Sequence, residues 1–142
     1  MIGKSFLPLA GHLVANTALG DPEARFRTAV SRAYYGAYHV AVEVLGLGLR
    51  VPKNFAGHEI VCRELRQTNH PSAGLAADLI GDLRTERNKA DYDLAEAKFK
   101  TQSNAKLSVE TAHEAVAALE ACLLEPLRST LVAHFSTRPK TR

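Results

Sequence analysis

The side chains best suited to chemistry lie in a charged segment at residues 84–93. Arg87 lies one helical turn after Leu83 and two turns after Ile80, on the face where the spacing predicts an apolar residue. A guanidinium in such a position is costly unless it is paired, faces a wet groove or contacts a partner chain. Asp91, four residues later, is within reach of Arg87. The arginine can therefore bind phosphate, stabilise charge during phosphodiester cleavage, or tie helices together.

A polar and aromatic stripe lies earlier in the chain and follows helical spacing. Arg27, Ser31, Tyr35 and Tyr38 succeed one another at steps of four, four and three residues. Tyrosines offer a large contact area with a polar tip. The stripe therefore either helps to wall a site with Arg87, on which RNA bases stack, or packs at a dimer or helix–helix contact.

Three further residues are candidates for proton transfer or metal binding. His39 lies one turn after Tyr35 and can carry protons if it faces a cleft. His58 and Cys62 have the spacing of two metal ligands on one helix face. No third ligand follows at a spacing characteristic of metal sites, so we predict no metal. The chain lacks a nucleophile elbow, a phosphate loop and a dinucleotide fingerprint, so we also predict no cofactor.

The bulk composition predicts a globular chain without a membrane span. The formal net charge is +3, and this excess equals the charge of Arg138, Lys140 and Arg142 in a basic tail. Net charge is therefore not evidence for nucleic-acid binding. No apolar run reaches the roughly 18 residues that a membrane helix needs. Two cysteines without motif spacing indicate buried thiols in a reducing cytoplasm.

The elements that position these residues are predicted to be helices, because apolar residues recur at helical spacing and no stretch alternates for long. The predicted helices cover residues 5–18, 22–45, 57–69, 72–91 and 103–124, followed by a last short turn at 127–135. Asp21 is the expected N-cap of the second helix, with Pro22 at its first position. In the first helix, Phe6, Leu9 and Leu13 mark the expected buried face.

The predicted fold class is therefore all-α, an antiparallel bundle of about five helices joined by short connections. Residues 1–135 are expected to form one helical domain. Residues 136–142 are expected to form a flexible basic tail.

Two motifs taken together resemble the HEPN superfamily. Residues 31–39, Ser-Arg-Ala-Tyr-Tyr-Gly-Ala-Tyr-His, are similar to the "SRAYYA…H" helix of its small prokaryotic members. Residues 87–92, Arg-Asn-Lys-Ala-Asp-Tyr, are similar to their late "R…ADY" motif. The resemblance spans roughly residues 5–125. It implies a four- or five-helix bundle that forms a homodimer, and many such domains are metal-independent ribonucleases of toxin–antitoxin or defence systems.

The catalytic signature of that family is present in part. It consists of an arginine, a polar residue and then a histidine, and two copies of it meet across the dimer. Arg87 and Asn88 match its beginning, whereas the following window holds Asp91 and Tyr92 but no histidine. A tyrosine with an unperturbed pKa of about 10 transfers protons poorly at pH 7.

The resemblance therefore implies a non-catalytic module that binds RNA, a nucleotide or a partner protein such as a nucleotidyltransferase or an antitoxin. One alternative is a ribonuclease toxin in which His39, His58 or Tyr92 replaces the missing proton carrier. Another is a purely structural oligomerisation domain in which Arg87 and Asp91 form a buried tie. The candidate catalytic residues are Arg87, Asn88 and Tyr92. The candidate binding residues are Arg27, Ser31, Arg32, Tyr35, Tyr38, His39, Arg84 and Asp91.

Overall fold

The computed structural model describes residues 3–54 and 56–138, and within them the protein is all-α, as predicted. Six α-helices are present in these residues, where about five were expected. They are α1 (Phe6–Ala15), α2 (Pro22–Leu45), α3 (Ala56–Gln67), α4 (Pro71–Tyr92), α5 (Gln102–Cys122) and α6 (Leu127–Ser136). Short 3-10 helices cover Gly3–Ser5 and Ala97–Lys100. None of the helices described here has the length and apolar character needed to cross a membrane.

Helix α2 is the central element and packs against α1, α4 and α5. It begins where the sequence predicts, because the Asp21 carboxylate accepts a hydrogen bond of 2.9 Å from the Ala24 amide and Pro22 occupies the first helical position. The turn before it needs a glycine, since Gly20 has a φ of 102°. The inner face of α2 is buried throughout and consists of Phe26, Val30, Ala33, Ala37, Ala41 and Val44.

The face that α1 presents to α2 differs from the prediction. The structure buries Leu7, Ala10 and Val14, whereas of the expected residues Leu9 is exposed and Phe6 and Leu13 are half-buried. Gly36 of α2 allows this orientation, because a Cβ atom there would lie only 2.9 Å from Leu7 Cδ2. A closely fitting glycine on the neighbouring helix therefore decides which side of α1 is buried.

Helix α6 is ten residues long, where the sequence predicts a last short turn. Leu131 and Phe135, one turn apart, are buried on its inner side. Beyond its end, Arg138 Nε donates a hydrogen bond of 3.0 Å to Glu64 Oε2 on α3. Glu64 is 4% exposed, so this ion pair holds the C-terminal segment against α3. Residues 139–142 of the predicted flexible tail lie outside the described residues.

Candidate anion-binding groove beside Arg87

Arg87 lies on the inner face of α4, and its side chain is 12% exposed. Its Nη2 donates a hydrogen bond of 2.9 Å to the Tyr35 hydroxyl on α2, and its Nη1 donates one of 2.9 Å to Asn88 Oδ1. The Nε atom lies 3.2 Å from Asp91 Oδ2, close enough for an ion pair although the atoms are outside hydrogen-bond geometry. The predicted Arg87–Asp91 pair is thus present.

Three tyrosine rings surround the Arg87 guanidinium. Its central carbon lies 5.3 Å from the ring centroid of Tyr35, 5.5 Å from that of Tyr92 and 5.7 Å from that of Tyr34. These distances are within the range of cation–π attraction. Tyr92 is 73% exposed, so the cluster meets solvent on that side. We call Arg87 and these three tyrosines the Arg87 cluster.

The polar stripe of α2 meets the charged segment through Asp91. Ser31 Oγ donates a hydrogen bond of 3.3 Å to Asp91 Oδ2, and Arg32 Nη2 donates one of 3.2 Å to Ser31 Oγ. The guanidinium of Arg32 also lies 5.2 Å from the Tyr35 ring centroid. Ser31 of α2 is therefore linked directly to Asp91 of α4, and Arg32 is linked to it through Ser31.

Arg27 is engaged elsewhere, although the sequence places it in the same stripe. It is 8% exposed, and its Nε donates a hydrogen bond of 3.0 Å to Glu23 Oε1. Its two other nitrogens donate to five backbone carbonyls, those of Lys89, Ala90, Asp93, Leu94 and Glu96. These carbonyls lie at the end of α4 and just beyond it, where regular helical hydrogen bonding stops, and those of Lys89 and Asp93 also accept the amides of Asp93 and Glu96. Arg27, predicted as a binding residue, is therefore left out of the candidate site.

His58 of α3 adds an imidazole beside the Arg87 cluster. Its Nδ1 shares a hydrogen bond with the Tyr34 hydroxyl, and its ring stacks on Tyr38 with centroids 4.5 Å apart. Burial, followed by the charges of Arg84 and Arg87, lowers the pKa of His58, whereas burial raises the pKa of Tyr34. The tyrosine therefore keeps its proton and donates it, and the neutral imidazole carries its own proton on Nε2.

The spacing of His58 and Cys62 does not produce a metal site. Cys62 Sγ donates to the carbonyl oxygen of Ala77 at 3.7 Å. In the described parts of the chain, no three His, Cys, Asp or Glu side chains lie close enough together to hold a metal ion.

The lowered pKa of His58 predicts a pH-dependent stability. Because this pKa lies below the usual value of about 6.5, the neutral ring stabilises the fold above that pH. This stability is lost as the pH falls through the folded-state pKa. In urea unfolding at constant salt, the free energy of unfolding is expected to fall more between about pH 7.5 and pH 5 for wild type than for His58→Gln. His39, whose pKa is also lowered, is present in both proteins. The same pH dependence in both would contradict the prediction.

A groove of about 430 Å³ runs between α3 and α4 next to the Arg87 cluster. Among its lining residues are His58, Arg63, Arg66, Arg84 and Asn88, and we call it the arginine groove. Glu59 also lines it, and Arg66 Nε donates a hydrogen bond of 3.3 Å to Asp78. Three guanidinium groups in one groove offer fork-shaped donors for phosphate oxygens. Arg87 is not itself among the lining residues, but its hydrogen bond to Asn88 orients a side chain that lines the groove.

The other candidate residues lie at the border of this region. Tyr38 is 9% exposed and packs on His58, whereas His39 is exposed and stacks on Phe6 with centroids 5.7 Å apart. Arg63, Arg66 and Tyr34 were not singled out from the sequence. A usable signal was the i, i+3 spacing of Arg63 and Arg66, which Arg84 and Arg87 repeat on α4.

Comparison of the chain with protein-family models, curated proteins and solved structures gave no match. The function is therefore inferred from the residues and geometry of the site itself.

Proposed function

We propose that this protein is an HEPN-like helical module that binds RNA or a nucleotide through the arginine groove. In this proposal it acts as a homodimer in a toxin–antitoxin or defence-type system and does not cleave the RNA that it binds. The observation that carries the proposal is the convergence of Arg63, Arg66 and Arg84 on one groove, beside the Arg87 cluster.

The chemistry of this groove favours a polyanion with unstacked bases. Arginine forks match the geometry of phosphate oxygens, which supply most of the affinity of proteins for nucleic acids. Single-stranded RNA also exposes base faces that stack on tyrosine, histidine and arginine side chains. His58 provides such a ring in the groove, and the exposed Tyr92 provides one in the Arg87 cluster. RNA or a nucleotide therefore suits the groove better than an apolar ligand.

The immediate surroundings of Arg87 favour binding over cleavage. Asp91 lies beside the guanidinium, so its negative charge offsets part of the positive charge that would stabilise a phosphorane. The motif window after Arg87 contains no histidine. Tyr92 in this window offers a phenol where the motif has an imidazole, the side chain best suited to proton transfer.

A metal-independent ribonuclease is the second candidate, and the position of His58 favours it. This histidine lines the same groove as Arg84 and Asn88, and its lowered pKa keeps the ring neutral at pH 7. To accept a proton from a ribose 2′-hydroxyl, the first requirement for cleavage to a cyclic phosphate, His58 must adopt its other tautomer, in which Nδ1–H donates to the Tyr34 hydroxyl oxygen and Nε2 is free. In this candidate function, His58 replaces the missing motif histidine.

Incubation with a mixed RNA pool distinguishes the two candidates. Wild type, Arg87→Ala and the exposed-site control Arg128→Ala are each incubated with RNA in EDTA at near-physiological salt. Intact RNA is expected in all three samples. Wild type and the control are expected to retard the RNA more strongly than Arg87→Ala, because this variant loses a charge and the support of Asn88. Cleavage by wild type but not by Arg87→Ala would identify the ribonuclease, and absence of retardation by wild type would refute the binding proposal.

A further inference from the structure

A second cavity adjoins the arginine groove at His58. It has a volume of about 450 Å³ and lies between α2 and the segment that leads into α3. We call it the ring pocket, and it is lined by Tyr38, His39, Val42, Val51, Pro52, Lys53, Asn54 and His58. His58 lines both cavities, so the two lie next to each other.

The walls of the ring pocket are mainly apolar and closely packed, with Lys53 and Asn54 adding polar groups. Val42, Val51 and Pro52 supply aliphatic surface, while the Tyr38 and His58 rings stack on each other at an interplanar angle of 26°. The backbone at Gly57 closes against this wall. A Cβ atom there would lie 2.5 Å from the Pro52 carbonyl oxygen and 2.8 Å from the Tyr38 hydroxyl. Close packing therefore sets the shape of the pocket.

The two cavities differ in the chemistry that they offer. The ring pocket falls within the range of roughly 300–1,000 Å³ that is common for small-molecule sites, and its walls suit a flat apolar ring. The arginine groove contains Arg63 and Arg66, whose side chains are 54% and 52% exposed, so an anion can reach them. Adjacent apolar and cationic compartments match a ligand in which a flat ring is joined to a phosphate.

We propose that the ring pocket and the arginine groove form one bipartite site for a nucleotide unit. The base occupies the ring pocket, the phosphate lies in the arginine groove, and His58 stands between them. This inference rests on the proposed function and specifies which part of the ligand each cavity receives. A free nucleotide and one nucleotide of an RNA strand share this chemistry.

Ligand titrations of matched variants test the two compartments separately. Val42→Phe fills the ring pocket with apolar volume, Arg66→Gln removes one cation from the groove, and Arg128→Gln is the control. Adenosine, adenosine 5′-monophosphate and single-stranded hexa-adenylate are titrated calorimetrically. Val42→Phe is expected to weaken the binding of all three ligands by roughly tenfold. Arg66→Gln is expected to weaken the two phosphate-bearing ligands by a similar factor of roughly ten while adenosine binding stays unchanged. Val51→Phe replaces Val42→Phe if the latter melts at a lower temperature than the control.

The outcomes separate this inference from the function on which it rests. If hexa-adenylate binding is weakened by Arg66→Gln but not by a variant that fills the ring pocket, the proposed function stands and the base subsite is refuted. If wild type binds neither the mononucleotide nor the hexamer, both proposals fail. If the ring-pocket variant and the groove variant both weaken binding as expected, the bipartite site is supported. The relative affinities of wild type for the mononucleotide and the hexamer then show whether the site serves a free nucleotide or an RNA strand.

Discussion

Arg27→Met is expected to lower the free energy of unfolding by about 3 kcal/mol, because it removes a buried charged donor whose acceptors stay behind. The guanidinium of Arg27 binds carbonyls at the end of α4 and in the turn after it, among them those of Ala90, Asp93 and Glu96. It also lies 5.1 Å from the Phe99 ring centroid. Methionine retains much of the apolar stem but satisfies none of these oxygens.

Urea unfolding at pH 7 measures this loss, with Arg128→Met as the matched control. Arg128 is exposed on α6, so its substitution is expected to change the free energy of unfolding by no more than about 0.5 kcal/mol. A loss in Arg27→Met as small as that in the control would contradict the structural role of Arg27. In that case its place among the candidate binding residues would have to be reconsidered.

Local signals explain why helix α2 could be predicted closely. The Asp21 cap and Pro22 define its beginning, and Gly46 follows its last residue, Leu45. All of these signals are adjacent in sequence to the helix end that they specify. The Arg87–Asp91 pair is of the same kind, since i, i+4 spacing alone brings two side chains together on a helix.

Features that depend on a distant part of the chain were missed. Apolar residues lie on several sides of α1, so spacing did not determine which of them face the core, and the fit of Leu7 against Gly36 decided it. For α6, burial of Leu131 and Phe135 stabilises a full helix where local sequence indicated a short turn.

The same limitation applies to the candidate site. The role of Arg27 depends on carbonyls that follow it by more than sixty positions in the chain, as the separation of 63 residues to Ala90 shows. Arg63 and Arg66 lie on a polar helix face that resembles an ordinary solvated face in sequence, apart from the i, i+3 spacing that Arg84 and Arg87 repeat. They line a groove because α4 packs beside α3 and supplies the opposite wall, which includes Gly81 and Arg84.

The double variant Arg63→Gln/Arg66→Gln is expected to bind single-stranded RNA at least about tenfold more weakly than wild type. Each arginine is about half exposed and lines the groove in which the phosphates are proposed to lie. Stability should change little. Arg66 pairs with an exposed aspartate, and Glu64 retains Arg138 when Arg63 is lost.

The salt dependence of RNA binding tests the proposed function most directly, because it counts the phosphates that the protein contacts. Dissociation constants for one single-stranded RNA are measured over a range of salt concentrations for wild type, the double variant and Arg128→Gln. Loss of two phosphate contacts is expected to reduce the slope of log affinity against log salt by about 1.4, while the control keeps the wild-type slope. If the double variant and wild type show the same slope and affinity, RNA does not lie in the arginine groove and the proposed function is wrong.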